Sequence, residues 1–218
     1  MATKKSQRIG IWVIAVVMVI GTLGSFFVVI LANDNATVDQ ARLQTAQEEY
    51  QKNTEEYQAK VQAQADQLSP QYFGELSQFS SRVSAFSPDG ITELKSEDLK
   101  VGDGTEITKD STFTAYYIGW NPSGEVFDQS IDGEKLKAPF EVTPGGVITG
   151  WTEGVVGMKV GGIRELTIPS DKAYGEQGSG DKIPANTPLK FVIYIIPTPE
   201  KINQPAVPQE LIDAYGGQ

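Results

Sequence analysis

The spacing of apolar residues changes several times along this chain, and each change marks a different kind of element. From Ile9 to Ala32 no residue is charged, over 24 consecutive positions. As a helix this run would reach roughly 36 Å at about 1.5 Å per residue, enough for a hydrocarbon core of about 30 Å. It is too long for the apolar part of a secretory signal, and Ile30-Leu31-Ala32 is a poor cleavage signature. The pattern therefore predicts an uncleaved membrane anchor. Residues 36–68 are different: rich in Ala, Gln and Glu, with no Pro or Gly, they predict one long helix. Leu43, Tyr50 and Tyr57 fall seven apart, and Ala46, Val61 and Leu68 supply a partial second seam interrupted by Thr54 and Gln64. Two readings stay open for it, a coiled coil that dimerises the protein and a spacer whose stripe docks on its own domain. Ser69-Pro70 is expected to break the helix.

Next comes a stripe at three- and four-residue steps, Tyr72, Phe73, Leu76, Phe79, Val83 and Phe86. It predicts a second helix with one apolar face, packed on the preceding helix or on the globular domain. A surface that binds client chains is the alternative. Ser87-Pro88-Asp89-Gly90 is a turn cluster and a boundary. Beyond it, short β-type runs alternate with Gly and Pro: Ile91–Leu99, Ser111–Trp120, Phe140–Thr143, Gly162–Ile168 and Leu189–Ile196. The segment 112–118 alternates in part, as a half-buried strand does. Phe191 to Ile196 is almost wholly apolar, as in a central strand covered on both faces. Thr149–Val155 is the one helical candidate among them. These runs predict a compact antiparallel α+β domain. A tail over 198–218 carries Pro199, Pro205 and Pro208, with a short helix expected at Gln209–Ala214.

Composition narrows the chemistry. The 218 residues include no histidine and no cysteine. A Ser-His-Asp triad, a Cys-His dyad, a thiol redox centre, a disulfide and a His/Cys zinc site are all excluded. The formal charge is −10, which argues against nucleic acid as a partner, because phosphate binding needs a basic surface. Lys4, Lys5 and Arg8 precede the apolar run, while Asp34 and Asp39 follow it. The positive-inside rule then puts residues 1–8 in the cytoplasm and residues 33–218 outside. The outer part holds all 28 acidic side chains and 15 of the 18 basic ones, a formal charge of −13.

Within the domain, Tyr117, Phe127, Phe140, Trp151, Tyr174 and Phe191 stand at loop and strand ends. Polar groups near them are few: Asp128 and the hydroxyls of Tyr117 and Tyr174. Singly, each aromatic reads as core. Together they suggest a concave apolar pocket with a few polar fixtures, the usual form of a small-ligand site.

The order of these residues resembles a known family. Tyr117-Ile118-Gly119, then Gly124-Glu125-Val126-Phe127-Asp128-Gln129-Ser130, then Ala138-Pro139-Phe140-Glu141-Val142 look like the first half of an FKBP-type peptidyl-prolyl isomerase. Gly145 through Val155, Gly157-Met158-Lys159-Val160-Gly161-Gly162, Leu166-Thr167-Ile168-Pro169, Ala173-Tyr174-Gly175 and Ile183 through Phe191 continue the pattern in family order. The resemblance covers about residues 89–197. It implies an antiparallel sheet of five or six strands wrapped around a short helix, preceded here by the transmembrane helix and a helical stalk over 33–88. It also implies a proline pocket between helix and sheet, with Trp151 as floor and Tyr117, Phe127, Phe140, Val147, Ile148 and Phe191 as walls. Tyr174 and Ile183 come from a long loop over the rim. By the same resemblance the Ile148 N–H and the Tyr174 hydroxyl bond ligand carbonyls, and the Asp128 carboxylate faces the amide; Asp128, Tyr174 and Phe127 are the candidate catalytic residues.

No cofactor is implied. Rotation about an X–Pro bond moves no proton and forms no covalent bond, so a chain without His or Cys can catalyse it. The implied ligands are proline-containing polypeptides and macrolides. A non-catalytic FKBP-like chaperone, motivated by the extra helices at 36–86, is the alternative. The segment Ile131-Asp132-Gly133-Glu134-Lys135-Leu136-Lys137 is longer than in small members of the family and lacks an arginine. Lys135 or Lys137 is the candidate cation for Asp128.

Overall fold

The structure, a computed structural model, describes residues 36–215. The apolar run Ile9–Ala32 lies outside them, and among the described residues no helix is long and apolar enough to cross a membrane. Residues 54–204 form one compact unit; 36–53 and 205–215 belong to a second, which contains a short helix at Gln209–Tyr215.

Helix α1 runs without interruption over Ala36–Ser77 and tightens into a 3-10 turn at Gln78–Arg82. It does not end at Ser69-Pro70, contrary to the expectation from proline. Pro70 removes only the hydrogen bond that its own N–H would have made. Packing of the next two turns outweighs that loss, with Leu76 fully buried against the sheet. The apolar stripe outlasts the helix. At Val83 the backbone turns extended, and Val83 and Phe86 reach the same cluster from an unwound segment rather than from a second helix.

Six antiparallel strands follow: β1 Lys95–Lys100, β2 Phe113–Trp120, β3 Val126–Gln129, β6 Phe140–Val142, β7 Ile163–Ile168 and β8 Leu189–Ile196. Their order is β1-β7-β8-β2-β3, with β6 also paired to β2. Between β3 and β6 stands a separate hairpin of β4 Ile131–Asp132 and β5 Lys135–Leu136. The first strand starts at Lys95 rather than Ile91. Neither β3 nor the hairpin follows from the apolar pattern, because all four β3 residues are half-buried and show no alternation.

Strands β2 and β8 pair from Thr114↔Ile196 to Trp120↔Lys190 and divide two cores. Phe113, Ala115, Phe191, Ile193 and Ile195 face the short helix α2, Thr149–Gly154. Tyr116, Ile118, Trp120, Val192 and Tyr194 face the other way, toward Leu76. Strand β2 is thus buried on both faces and not half-buried, because α1 supplies the second cover. The Tyr72 ring lies 6.0 Å from that of Tyr116 and 5.7 Å from that of Tyr194. The stripe after Pro70 is therefore occupied by the protein's own sheet and is not a free client surface.

A polar seam borders this contact. Glu75 accepts a hydrogen bond from the Tyr194 hydroxyl and holds the Lys100 ammonium at 2.6 Å. Lys100 first, then Tyr194, keeps the Glu75 carboxyl below the ordinary value. Buried Glu165 is matched by two cations, Arg82 and Lys190, the latter at 3.0 Å. Full pairing is what makes a buried carboxylate tolerable.

Candidate active site

The site begins with two glycines. Gly150 and Gly154 lie one turn apart on α2, on the side that meets β7. A Cβ on Gly150 would stand 2.3 Å from Ile168 Cγ2, and one on Gly154 would stand 2.6 Å from Leu166 Cδ1. Glycine is costly inside a helix, by about 1 kcal/mol each. Here it lets the helix lie directly on the sheet, with Trp151 only 4% exposed. The turn before it is closed by the Ile148 carbonyl, which accepts from the Trp151 N–H at 3.0 Å and the Thr152 N–H at 3.3 Å. The Ile148 N–H precedes the helix and is not consumed by it.

Around Trp151 the other rings stand edge-on. Tyr117 and Phe191 are each 5.4 Å away between centroids, at 83° and 88°, and Phe140 is 6.4 Å away at 83°. Phe127 meets Phe191 at 5.4 Å and 81°. Such edge-to-face contacts hold aromatic walls upright around a floor. Val147 and Ile148 pack on the same cluster, and Ile183 joins it as a buried member. The structure thus brings together Tyr117, Phe127, Phe140, Val147, Ile148, Trp151, Ile183 and Phe191. Gly119 makes room for this wall, since a Cβ there would sit 2.7 Å from Phe191 Cε1 and 2.8 Å from Phe127 Cζ.

One polar pair borders the aromatic set. The Tyr117 hydroxyl donates to Asp128 Oδ2, and Asp128 Oδ1 accepts the Gln129 N–H at 2.8 Å. Burial, then the Asp128 carboxylate, pushes the Tyr117 phenol far above its ordinary value. Tyr174, 39% exposed, is pushed up by burial and by the same carboxylate. Neither lysine of the long segment serves Asp128. Lys137 donates to the Gln129 carbonyl at 2.7 Å, and Lys135 reaches toward Asp66 at 3.5 Å. The partner of Asp128 is a neutral phenol, which asks less desolvation than a cation would.

Three residues to which the sequence reading assigned no role in the site shape the rim. Gly119 is one. Ser130 is another, bonded to both backbone groups of Tyr117. The third is buried Asn121. Its amide donates to the Lys182 carbonyl at 2.9 Å, while its Oδ1 accepts from Ser123 and Glu125. Lys182 in turn donates to the Val126 carbonyl at 2.9 Å, which pins the rim loop to the β2–β3 connection. Nothing in an isolated Asn or Ser marks such a role; only their places beside Trp120 and Gln129 could have drawn attention.

Residues 104–196 match the family of FKBP-type peptidyl-prolyl cis-trans isomerases. An FK506-binding protein of Neisseria meningitidis serogroup A is 43% identical over 102 residues, spanning 46% of this chain and 91% of that protein. The chain belongs to the FKBP-type peptidyl-prolyl isomerase family. A probable FK506-binding protein of Corynebacterium glutamicum is 42% identical over 106 residues, 48% of this chain and 86% of its own length. This FKBP-type protein is accordingly an enzyme, a peptidyl-prolyl cis-trans isomerase. The family match begins at residue 104, so the segment from Ser69 to Phe86 that covers its sheet lies ahead of the matched part. That cover also removes the motive for a non-catalytic reading of the extra helices, at least from Tyr72 onward.

Proposed function

We propose that the basin over Trp151 receives the proline ring of a client polypeptide and that the pocket lowers the barrier to rotation of the preceding amide. The observation that carries this reading is the ring of Tyr117, Phe140 and Phe191 standing edge-on around Trp151, with the Tyr117–Asp128 pair beside it. The planar amide resists twisting by about 18–20 kcal/mol because resonance gives it double-bond character. Water favours that charge-separated planar form. An apolar basin favours it less and grips the ring while the carbonyl swings. Each 1.4 kcal/mol or so removed from the barrier gives about tenfold in rate. The Ile148 N–H and the Tyr174 hydroxyl are the donors for client carbonyls, Phe127 closes the wall, and Asp128 faces the twisting amide. Val147 and Ile183 complete the apolar lining. The same basin suits a macrolide ligand.

The place of action is part of this proposal. The uncharged run Ile9–Ala32, with Lys4, Lys5 and Arg8 before it, supports a single-pass anchor with the isomerase domain outside a bacterial cytoplasm. There, emerging chains carry X–Pro bonds that are about 10–30% cis and exchange slowly. The test has two arms. Full-length protein should catalyse cis-trans isomerisation of a proline tetrapeptide; absence of turnover overturns the catalytic pocket. Protease added to spheroplasts should digest residues 33–218 while the remnant stays with the membrane after a high-salt wash. Protection of the domain, or its recovery as a shortened soluble form, overturns the location alone.

A further inference from the structure

The hairpin β4–β5 connects two walls of the pocket, since Asp128 lies in the strand before it and Phe140 opens the strand after it. Its root is fastened to β2. The Ser130 N–H donates to the Tyr117 carbonyl at 2.8 Å, the Ser130 hydroxyl accepts the Tyr117 N–H at 2.9 Å, and the Ser130 carbonyl accepts the Lys137 N–H at 2.9 Å. The residue at the root therefore holds both backbone groups of the tyrosine whose phenol holds Asp128. The far arm of the hairpin is fastened elsewhere. The buried Leu136 N–H donates to the Ser69 hydroxyl of α1 at 2.8 Å, and the Leu136 side chain lies in the same cluster as Leu76. The Lys135 ammonium stands 3.5 Å from Asp66, one turn away on the same helix.

We infer that Ser69 is a positioning residue for the proline pocket, acting through the Leu136 hairpin on the Tyr117–Asp128 wall. Two paired strands of two residues each have little stability of their own. The hairpin takes its geometry from its anchors, and one of these is a single hydroxyl on a helix ahead of the family match. Ser69 is 4% exposed, so the Leu136 N–H has no ready substitute if the hydroxyl is lost. Releasing that arm frees the link between the Asp128 and Phe140 walls while leaving every pocket side chain chemically intact. This inference rests on the reading of the Trp151 basin as the proline site.

The test uses the full chain, the proline tetrapeptide, and the variants Ser69→Ala and Ser69→Thr. KM does not depend on how many molecules are folded, whereas apparent kcat does. Ser69→Ala should raise KM at least threefold, and Ser69→Thr, which keeps the hydroxyl, should return it to within twofold of the unaltered chain. An unchanged KM in Ser69→Ala, whatever happens to kcat, overturns the inference, as does an equal rise in Ser69→Thr. If the alanine variant does not fold, Ser69→Cys, of similar size but with a weak acceptor, is held to the same threefold criterion. No turnover by the unaltered chain overturns instead the pocket reading on which the anchor depends.

Discussion

Tyr116 and Tyr117 are neighbours on β2, yet they lie in different cores. The first is fully buried beneath Tyr72 of α1, and the second stands over Trp151 at the aromatic basin. One strand thus meets the covering helix on one side and forms the wall of the proposed pocket on the other. The sheet that carries the pocket wall is held from behind by a helix.

That arrangement makes the end of α1, from Tyr72 to Ser77, part of the folded unit. Leu76→Ala removes a fully buried side chain between helix and sheet. It should lower the stability of the isomerase domain by about 2–5 kcal/mol. Urea unfolding followed by circular dichroism measures this. A change within 0.5 kcal/mol or so, as for a surface substitution, would show that the helix merely lies against the sheet.

At the pocket the order of effects reverses. Phe127 is only half-buried but forms wall, so Phe127→Ala should cost more activity than stability. We expect kcat/KM to fall at least tenfold, about 1.4 kcal/mol in the barrier, with a smaller drop in thermal midpoint than Leu76→Ala. Gly119→Ala should act from the opposite direction. Its methyl would meet both Phe191 and Phe127 under 3 Å, and overpacking of this kind costs about 1–3 kcal/mol. Peptide KM should rise; unchanged kinetics would mean the two rings yield freely.

What the sequence reveals and what it hides divide along physical lines. The run Phe191–Ile196 reads as a central strand because it is apolar on both faces, and it is one. The aromatic set reads as a basin because its rings gather at loop and strand ends with few polar groups among them, and its order along the chain is what resembles the family. The two-sided burial of β2 is not legible, since Tyr116 and Ile118 need a cover that comes from 40 or so residues upstream. Pro70 misleads because its local rule is overridden by Leu76 and Tyr72. The partner of Asp128 is missed because charge invites a search for a lysine, whereas the fold supplies the phenol of Tyr117.

The isomerisation rate should be flat from about pH 6 to 9. Burial raises the phenols of Tyr117 and Tyr174 above their ordinary value of 10.0, so both keep their protons over that range. The chain has no histidine or cysteine to titrate there, and twisting an amide transfers no proton. A bell-shaped profile in kcat/KM would falsify this account, since it reports an essential acid and base.

Stability, by contrast, should depend on acid pH through Glu75. Lys100 and Tyr194 hold its carboxyl below 4.5 in the folded state. The contribution is complete above the unfolded value and disappears as pH falls through the lower folded one. Glu75→Gln should therefore be less stable at pH 7 and show a shallower fall in thermal midpoint between pH 5 and 3. Parallel curves for variant and parent would remove Glu75 from the acid response.

The bond between Glu75 and Tyr194 joins positions 119 residues apart. Synthesis at about 5–20 residues per second opens a gap of roughly 6–24 seconds between the appearance of the helix and that of the strand it covers. Through that interval Tyr72, Phe73 and Leu76 have no complete sheet to rest on, since β2 is made early and β8 last. The two halves of the contact can be completed only together, late, once nearly all of the domain exists. An isomerase of slowly rotating X–Pro bonds carries such a long-range step in its own folding.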